Sequence, residues 1–163
     1  MSTTPDRAAE WEMLRTRHLR AASERPLSKG RGVHHVVLMS RDIERTIHFY
    51  QEVLGFPLTE LFENRDYVGS THFFFDIGHG NLLGFFDFPG LELPDYAEVL
   101  GGMHHLSISV SPENHALVRA TLAQNHVPLD FEHDTSIYFR GPDGERIELI
   151  ADDLGTMYGH EVG

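Results

Sequence analysis

Two stretches of the chain carry the same cluster of residues able to do chemistry. RGVHHVVLMS at Arg31–Ser40 and GGMHHLSISV at Gly101–Val110 each have a glycine, an apolar residue, two adjacent histidines and an alternating run of strand formers. Side chains alternate faces along a strand, so His35 shares a face with Val37 and Met39, and His105 with Ser107 and Ser109. The opposite faces, led by His34 and His104, are the more apolar and should carry a helix. His35 and His105 are therefore expected to point toward an open face that lines a cavity. A carboxylate is available from GPDGERIELI, where a tight turn at Pro142–Gly144 leads into a strand on which Arg146, Glu148 and Ile150 share a face. Glu148 lies among Ile147, Leu149 and Ile150, where an isolated charge would suffer a heavy desolvation cost that a bound cation would offset. The chain has 12 histidines and no cysteine, so any metal would be held by imidazole and carboxylate rather than thiolate.

Positioning these donors requires particular elements. A first helix is expected over about Pro5 to Ala22, capped by Thr4, with Pro5 and Asp6 suited to its first turn and Trp11, Leu14 and His18 near one face. The turn-rich SERPLSKGRG follows as a linker. Then a pattern occurs twice. Its first copy predicts a strand at Val33–Met39, a helix at Asp42–Leu54 stopped by Gly55, and strands near Leu58–Phe62, His72–Asp76 and Leu82–Phe86. The second predicts a strand at Met103–Val110, a helix capped by Ser111 with Pro112 in its first turn and running to about Gln124, and strands near Leu129–Glu132, Ile137–Arg140 and Glu145–Ile150. FPL at Phe56–Leu58 answers VPL at Val127–Leu129, and FFDIGHG at Phe74–Gly80 answers YFRGPDG at Tyr138–Gly144. This is an internal β-α-β-β-β repeat. The fold class expected is α+β: two β-α-β-β-β modules curling around a metal-containing cavity, with an extra N-terminal helix. The divisions are residues 1–31 (helix and linker), 32–88 (first module), 89–101 (connection), 102–151 (second module) and 152–163 (C-terminal tail).

Composition narrows the function. A net charge of −12 without basic runs argues against nucleic acid and anionic membranes. No apolar run is long enough to span a bilayer, and MSTTPDRAAEWEML lacks an apolar signal core, so the cytoplasm is the expected location and a homodimer the expected assembly.

The repeat, HHVVLMSRDIERTIHFYQEVLGF and the ending YFRGPDGERIEL resemble the vicinal-oxygen-chelate superfamily, which includes glyoxalase I, fosfomycin-resistance proteins and extradiol dioxygenases. The similarity runs from about Gly32 to Ala151. It implies paired modules that hold one divalent metal. The first ligand stands seven residues before the aspartate that opens the helix; that aspartate is Asp42, which selects His35. The second module's ligand falls on His105, and the carboxylate four residues beyond the last turn glycine falls on Glu148. Glyoxalase I-like members carry a further carboxylate where this chain has Gly84, found by aligning the turn glycines Gly80 and Gly144.

Two histidines and one glutamate with open positions suit Fe(II), with Mn(II), Zn(II) or Ni(II) as alternatives. The leading expectation is an extradiol-type dioxygenase acting with dioxygen on a small catecholic or related aromatic substrate. Glyoxalase-like isomerase or lyase chemistry, fosfomycin-resistance-like thiol transfer, and non-catalytic drug binding are the alternatives. IYFRGP at Ile137–Pro142 matches the extradiol signature except that Gly141 replaces a small polar residue. By that resemblance Tyr138 would hydrogen-bond a substrate oxygen. The histidine expected farther upstream is absent from Leu129–Phe131, and His133 is the nearest candidate. Leu82, Phe86 and Phe88, which share Gly84's face, would give the cavity an apolar wall for a planar substrate.

Overall fold

The computed structural model describes residues 6–162. The chain divides into two compact units, residues 1–32 and 33–163. In the first, helix α1 covers Ala8–His18 and a single 3₁₀ turn covers Ala22–Glu24. The expected cap at Thr4 and Pro5 lies outside the described residues. The helix starts later than anticipated: the Ala8 backbone N–H donates to Asp6 Oδ1 at 3.0 Å. It also stops sooner, with Leu19 already extended. Ion pairs Arg7–Glu10 and Arg15–Glu12 run along it.

The second unit contains the repeat. In the first module β1 (His35–Met39), β2 (Leu58–Glu63), β3 (Thr71–Asp76) and β4 (Leu82–Phe86) form a sheet ordered β1-β4-β3-β2. In the second, β5 (Leu106–Ser109), β6 (Leu129–His133), β7 (Ser136–Arg140) and β8 (Arg146–Ile150) form a sheet ordered β5-β8-β7-β6. The order is the same, and in both sheets the first and last strands pair in parallel. The turn glycines Gly80 and Gly144, matched in sequence, both adopt positive φ (74° and 89°), which glycine reaches without steric cost.

Helix α2 (Ile43–Ile47) begins at Asp42, whose side chain accepts from the Arg45 N–H. It widens into a π-helical turn at His48–Val53, so the Leu54 N–H reaches back five residues to the Phe49 carbonyl. The sequence pattern predicted one α-helix through Leu54. Both adjacent pairs Phe49–Tyr50 and Val53–Leu54 are buried, and the wider turn directs them to one side. Helix α3 (Pro112–Gln124) begins where expected, with Ser111 Oγ accepting from the Asn114 N–H. These helices and the inward residues of both sheets share one core, including Phe73, Phe75, Phe85, Ile137, Phe139, Ile147 and Leu149.

The modules are joined at named contacts. Phe49 meets Phe139 with ring centroids 6.2 Å apart. Arg45 pairs with Asp143 at 2.6 Å. The fully buried Tyr50 donates its hydroxyl to Glu145 Oε1 at 2.8 Å. Burial pushes the Glu145 carboxyl up, and the Tyr50 hydroxyl only partly counteracts that. A carboxyl raised in this way stabilises the fold fully below its unfolded pKa, about 4.3, and loses that contribution as pH rises through the folded value. Tyr50→Phe removes the donor and raises the Glu145 pKa further. Chemical unfolding should show a loss of about 1–3 kcal/mol at pH 7, shrinking as the pH approaches 4.

Candidate metal centre

Two departures from regular strand geometry set up the site. The first lies at the histidine pairs. Both strands begin later than predicted, at His35 and Leu106. Ahead of β5 the Tyr96 hydroxyl donates to the carbonyls of Met103 and His104, which keeps that segment off the ladder. His104 therefore does not sit on the helix-covered face as expected; it is exposed beside Glu98 and Arg146. In each pair the two rings meet edge-on, with centroids 5.0 Å apart and Nδ1 atoms 2.7 Å apart. That shared hydrogen bond occupies Nδ1 of His35 and of His105 and leaves each Nε2 free to bind something else.

The second departure is a β-bulge at the same place in each module, between Leu58 and Glu60 in β2 and between Leu129 and Phe131 in β6. Leu129 packs on the core opposite Phe139. In an unbroken strand Phe131 and His133 would do the same. The bulge shifts the register, so Phe131 lies opposite Tyr138 and His133 opposite Ser136. His133 thereby reaches the open face.

On that face His105 Nε2 stands 3.2 Å from Glu148 Oε2. Glu148 is 6% exposed. Its Oε1 accepts hydroxyl hydrogen bonds from Ser136 at 2.7 Å and Tyr138 at 2.6 Å. Burial pushes the Glu148 carboxyl up, but the hydroxyls of Ser136, Tyr138 and Ser107, with His105 beside it, outweigh that and hold it below the usual carboxylate value. The Tyr138 phenol is pushed up to about 12, first by burial and then by its bond to Glu148. It therefore stays a donor, and that hydrogen goes to the carboxylate. One oxygen of Glu148 is thus saturated, and the other faces His105.

These two residues floor a cavity of about 640 Å³, walled by Phe131, His133, Tyr138, Met157 and Tyr158 among others. His35 is not in it. Its ring lies on the open face of the first sheet against Phe74, and among the described residues no three His, Asp or Glu side chains converge within one chain. Gly84 occupies the register position of Glu148, opposite both Val37 and Phe74. A Cβ there would meet the Phe74 ring at 2.8 Å, so an aromatic ring covers the spot that the carboxylate takes in the second module. Leu82, Phe86 and Phe88 also lie in the first module, away from the lining of this cavity, with the Phe86 ring tilted against His72, centroids 4.1 Å apart. Met157 and Tyr158 come from a hairpin in the C-terminal tail that the strand pattern did not predict.

A family model described as the glyoxalase/bleomycin resistance protein/dioxygenase superfamily matches residues 32–149. The chain belongs to this superfamily. Among curated proteins it is 38% identical over 65 residues to MhqE of Bacillus subtilis and 27% identical over 150 residues to MhqA of the same organism. Both carry a provisional assignment as ring-cleaving dioxygenases. These matches cover 38% and 82% of this chain but only 22% and 44% of the relatives, so it spans less than half of their length. Among solved structures, the fosfomycin resistance protein FosX of Listeria monocytogenes, crystallised with Mn(II), superposes with TM-score 0.56 at 20% identity, over 76% of this chain and 94% of that one. Glyoxalase I of Leishmania major superposes with TM-score 0.59 at 23% identity, over 74% and 86%. At these identities the likeness establishes the paired-module fold. Among the described residues no helix is long and apolar enough to cross a membrane.

The geometry makes Tyr138 a test of the carboxylate. A carboxyl held below its usual value contributes stability above the unfolded pKa and loses it as pH falls through the folded value. Tyr138→Phe should raise the Glu148 pKa, read by carboxyl-carbon NMR titration. It should cost about 1.5–3 kcal/mol at pH 7, the loss fading below about pH 4.

Proposed function

We propose that this protein is a divalent-metal enzyme that opens the ring of a catechol-type substrate with dioxygen, its site assembled from two copies of the chain. The observation that carries the reading is the His105–Glu148 pair. Two donors each about 2.1 Å from one ion and at right angles stand about 3.0 Å apart, and Nε2 and Oε2 are 3.2 Å apart. The third donor is His35 of a second copy. His35 stands where His105 does in the repeat, its Nδ1 is bonded to His34, and its Nε2 is left for a ligand. It lies on an open face with exposed Met39 and Phe62, an apolar surface suited to burial against another protein face. Laid over the second sheet of a partner, that face would supply the apolar wall expected of Leu82, Phe86 and Phe88.

The ion, Fe(II) in this reading and with Mn(II), Zn(II) and Ni(II) compatible with the same donors, supplies Lewis acidity and electron transfer to dioxygen. Ser136 and Tyr138 fix Glu148 so that Oε2 is the donating oxygen. His133, beside Asp134 at 3.0 Å and on the cavity wall, is placed to accept a proton from a substrate hydroxyl. The aromatic walls exclude water around a flat ring. The two Bacillus relatives support ring cleavage over the other chemistries of the superfamily.

Anaerobically prepared protein should bind one metal ion per chain and lose it in His35→Ala, His105→Ala and Glu148→Gln while still unfolding cooperatively. With Fe(II) it should take up dioxygen when given a catechol. His35→Ala and Glu148→Gln, each inactive, should recover about a quarter of parental activity after subunit exchange, because each mixed dimer has one intact site. No recovery would place the site within one chain. Turnover of epoxides or glutathione adducts by the Mn(II) form, without oxygen uptake by the Fe(II) form, would assign isomerase or transferase chemistry instead.

A further inference from the structure

The C-terminal tail forms a hairpin at the mouth of the cavity. Strands β9 (Thr156–Met157) and β10 (His160–Glu161) pair antiparallel, with Met157 opposite His160. The connecting residues Tyr158 and Gly159 both have positive φ, 52° and 76°. A two-residue turn with positive φ at both positions favours Asn-Gly or Asp-Gly. This chain has Tyr-Gly. A bulky aromatic residue in the left-handed region is a costly choice that persists where the side chain is needed. Nothing in the core needs it, since Tyr158 is 84% exposed.

The stem of this hairpin is anchored. Ser109 Oγ on β5 donates to the Asp152 carbonyl at 2.6 Å, and the Ala151 N–H donates to the Thr135 carbonyl in the β6–β7 turn. The Thr156 N–H and hydroxyl both donate to the Asp153 carbonyl. The Val162 N–H closes the base on Gly155. The chain is thus tied to both sides of the cavity just before the hairpin, and Met157, Tyr158 and Gly159 line the same cavity as His105, Tyr138, Glu148 and Phe131.

We propose that Tyr158 is a substrate-contacting, specificity-determining residue: its ring forms the outer wall of the cavity and holds a flat aromatic ligand against Phe131 and Tyr138. This rests on the reading that the cavity takes an aromatic diol beside a metal ion. It accounts for an exposed aromatic side chain at a position where asparagine would be easier to fold.

The test uses the Zn(II)-loaded full chain, titrated with 4-nitrocatechol, whose absorbance shifts on ionisation and chelation, so no oxygen chemistry is required. Tyr158→Asn installs the residue that the turn prefers. It should leave metal content and oligomeric state unchanged and keep or raise Tm. It should weaken nitrocatechol binding by roughly threefold to tenfold, the range expected for losing one aromatic contact. Tyr158→Phe should bind within about twofold of the parent, since the ring contact is kept. Unchanged affinity in Tyr158→Asn would overturn the proposal, as would a loss explained wholly by lost metal or altered assembly. Failure of the parent itself to bind nitrocatechol would refute the aromatic-diol reading and this inference with it, a result distinct from equal binding by parent and variant.

Discussion

Glu148 is a carboxylate with almost no access to water, and the arrangement around it follows from that constraint. An ionised group in such a place must be met by donors or a cation, or it takes up a proton. Ser136 and Tyr138 on β7 meet one oxygen, and the other is aimed at His105. Because the hydroxyls and His105 together hold the carboxyl below its usual value against the effect of burial, the anionic form is available before any ion arrives. The cavity floor is therefore built by the fold, and a metal ion would enter a preformed anionic site.

The duplication shows what this floor costs by what the other module lacks. At matching register positions Ser107, Tyr138 and Glu148 of the second sheet are replaced in the first by Val37, Phe74 and Gly84. Without the carboxylate there is nothing for a hydroxyl to satisfy, and Phe74 packs among His35, His72 and Phe62 instead. His35 is the polar feature that both sheets keep at the start of their first strand. The two sheets of the repeat thus differ in their open faces: one carries a hydrogen-bonded carboxylate, the other a largely aromatic surface.

Much of this was legible in the sequence, because period-two alternation and matched turn glycines depend on local residues alone. The facing of His105 and Glu148, the helix starts at Asp42 and Ser111, and the match of Gly84 to Glu148 all follow from spacing. What escaped depends on contacts distant in sequence. The late start of β5 comes from the Tyr96 hydroxyl taking two carbonyls. The π-helical turn answers a core that must receive Phe49 and Tyr50 together. His133 was the nearest candidate for the site histidine, but the bulge that turns it to the cavity has no fixed residue signature and shows only in the strand pairing. The hairpin at Tyr158 was hidden because the residue that would announce such a turn, asparagine before glycine, is absent.

The bulges also separate what the fold supplies from what the site supplies. They occur at Thr59 and Asp130, the residues just after the matched leucines Leu58 and Leu129. Their presence in both modules means that turning the end of the second strand toward the open face is a property of the module, independent of chemistry. In the first module the redirected residues are Glu60 and Phe62, opposite Phe74 and His72; in the second they are Phe131 and His133, opposite Tyr138 and Ser136. The same backbone device therefore turns Phe62 to the open face of the first sheet and brings His133 to the cavity in the second module. Leu58 and Leu129, just before each bulge, stay packed on the core, so the residues that the bulge turns to the open face are separate from those that hold the module together.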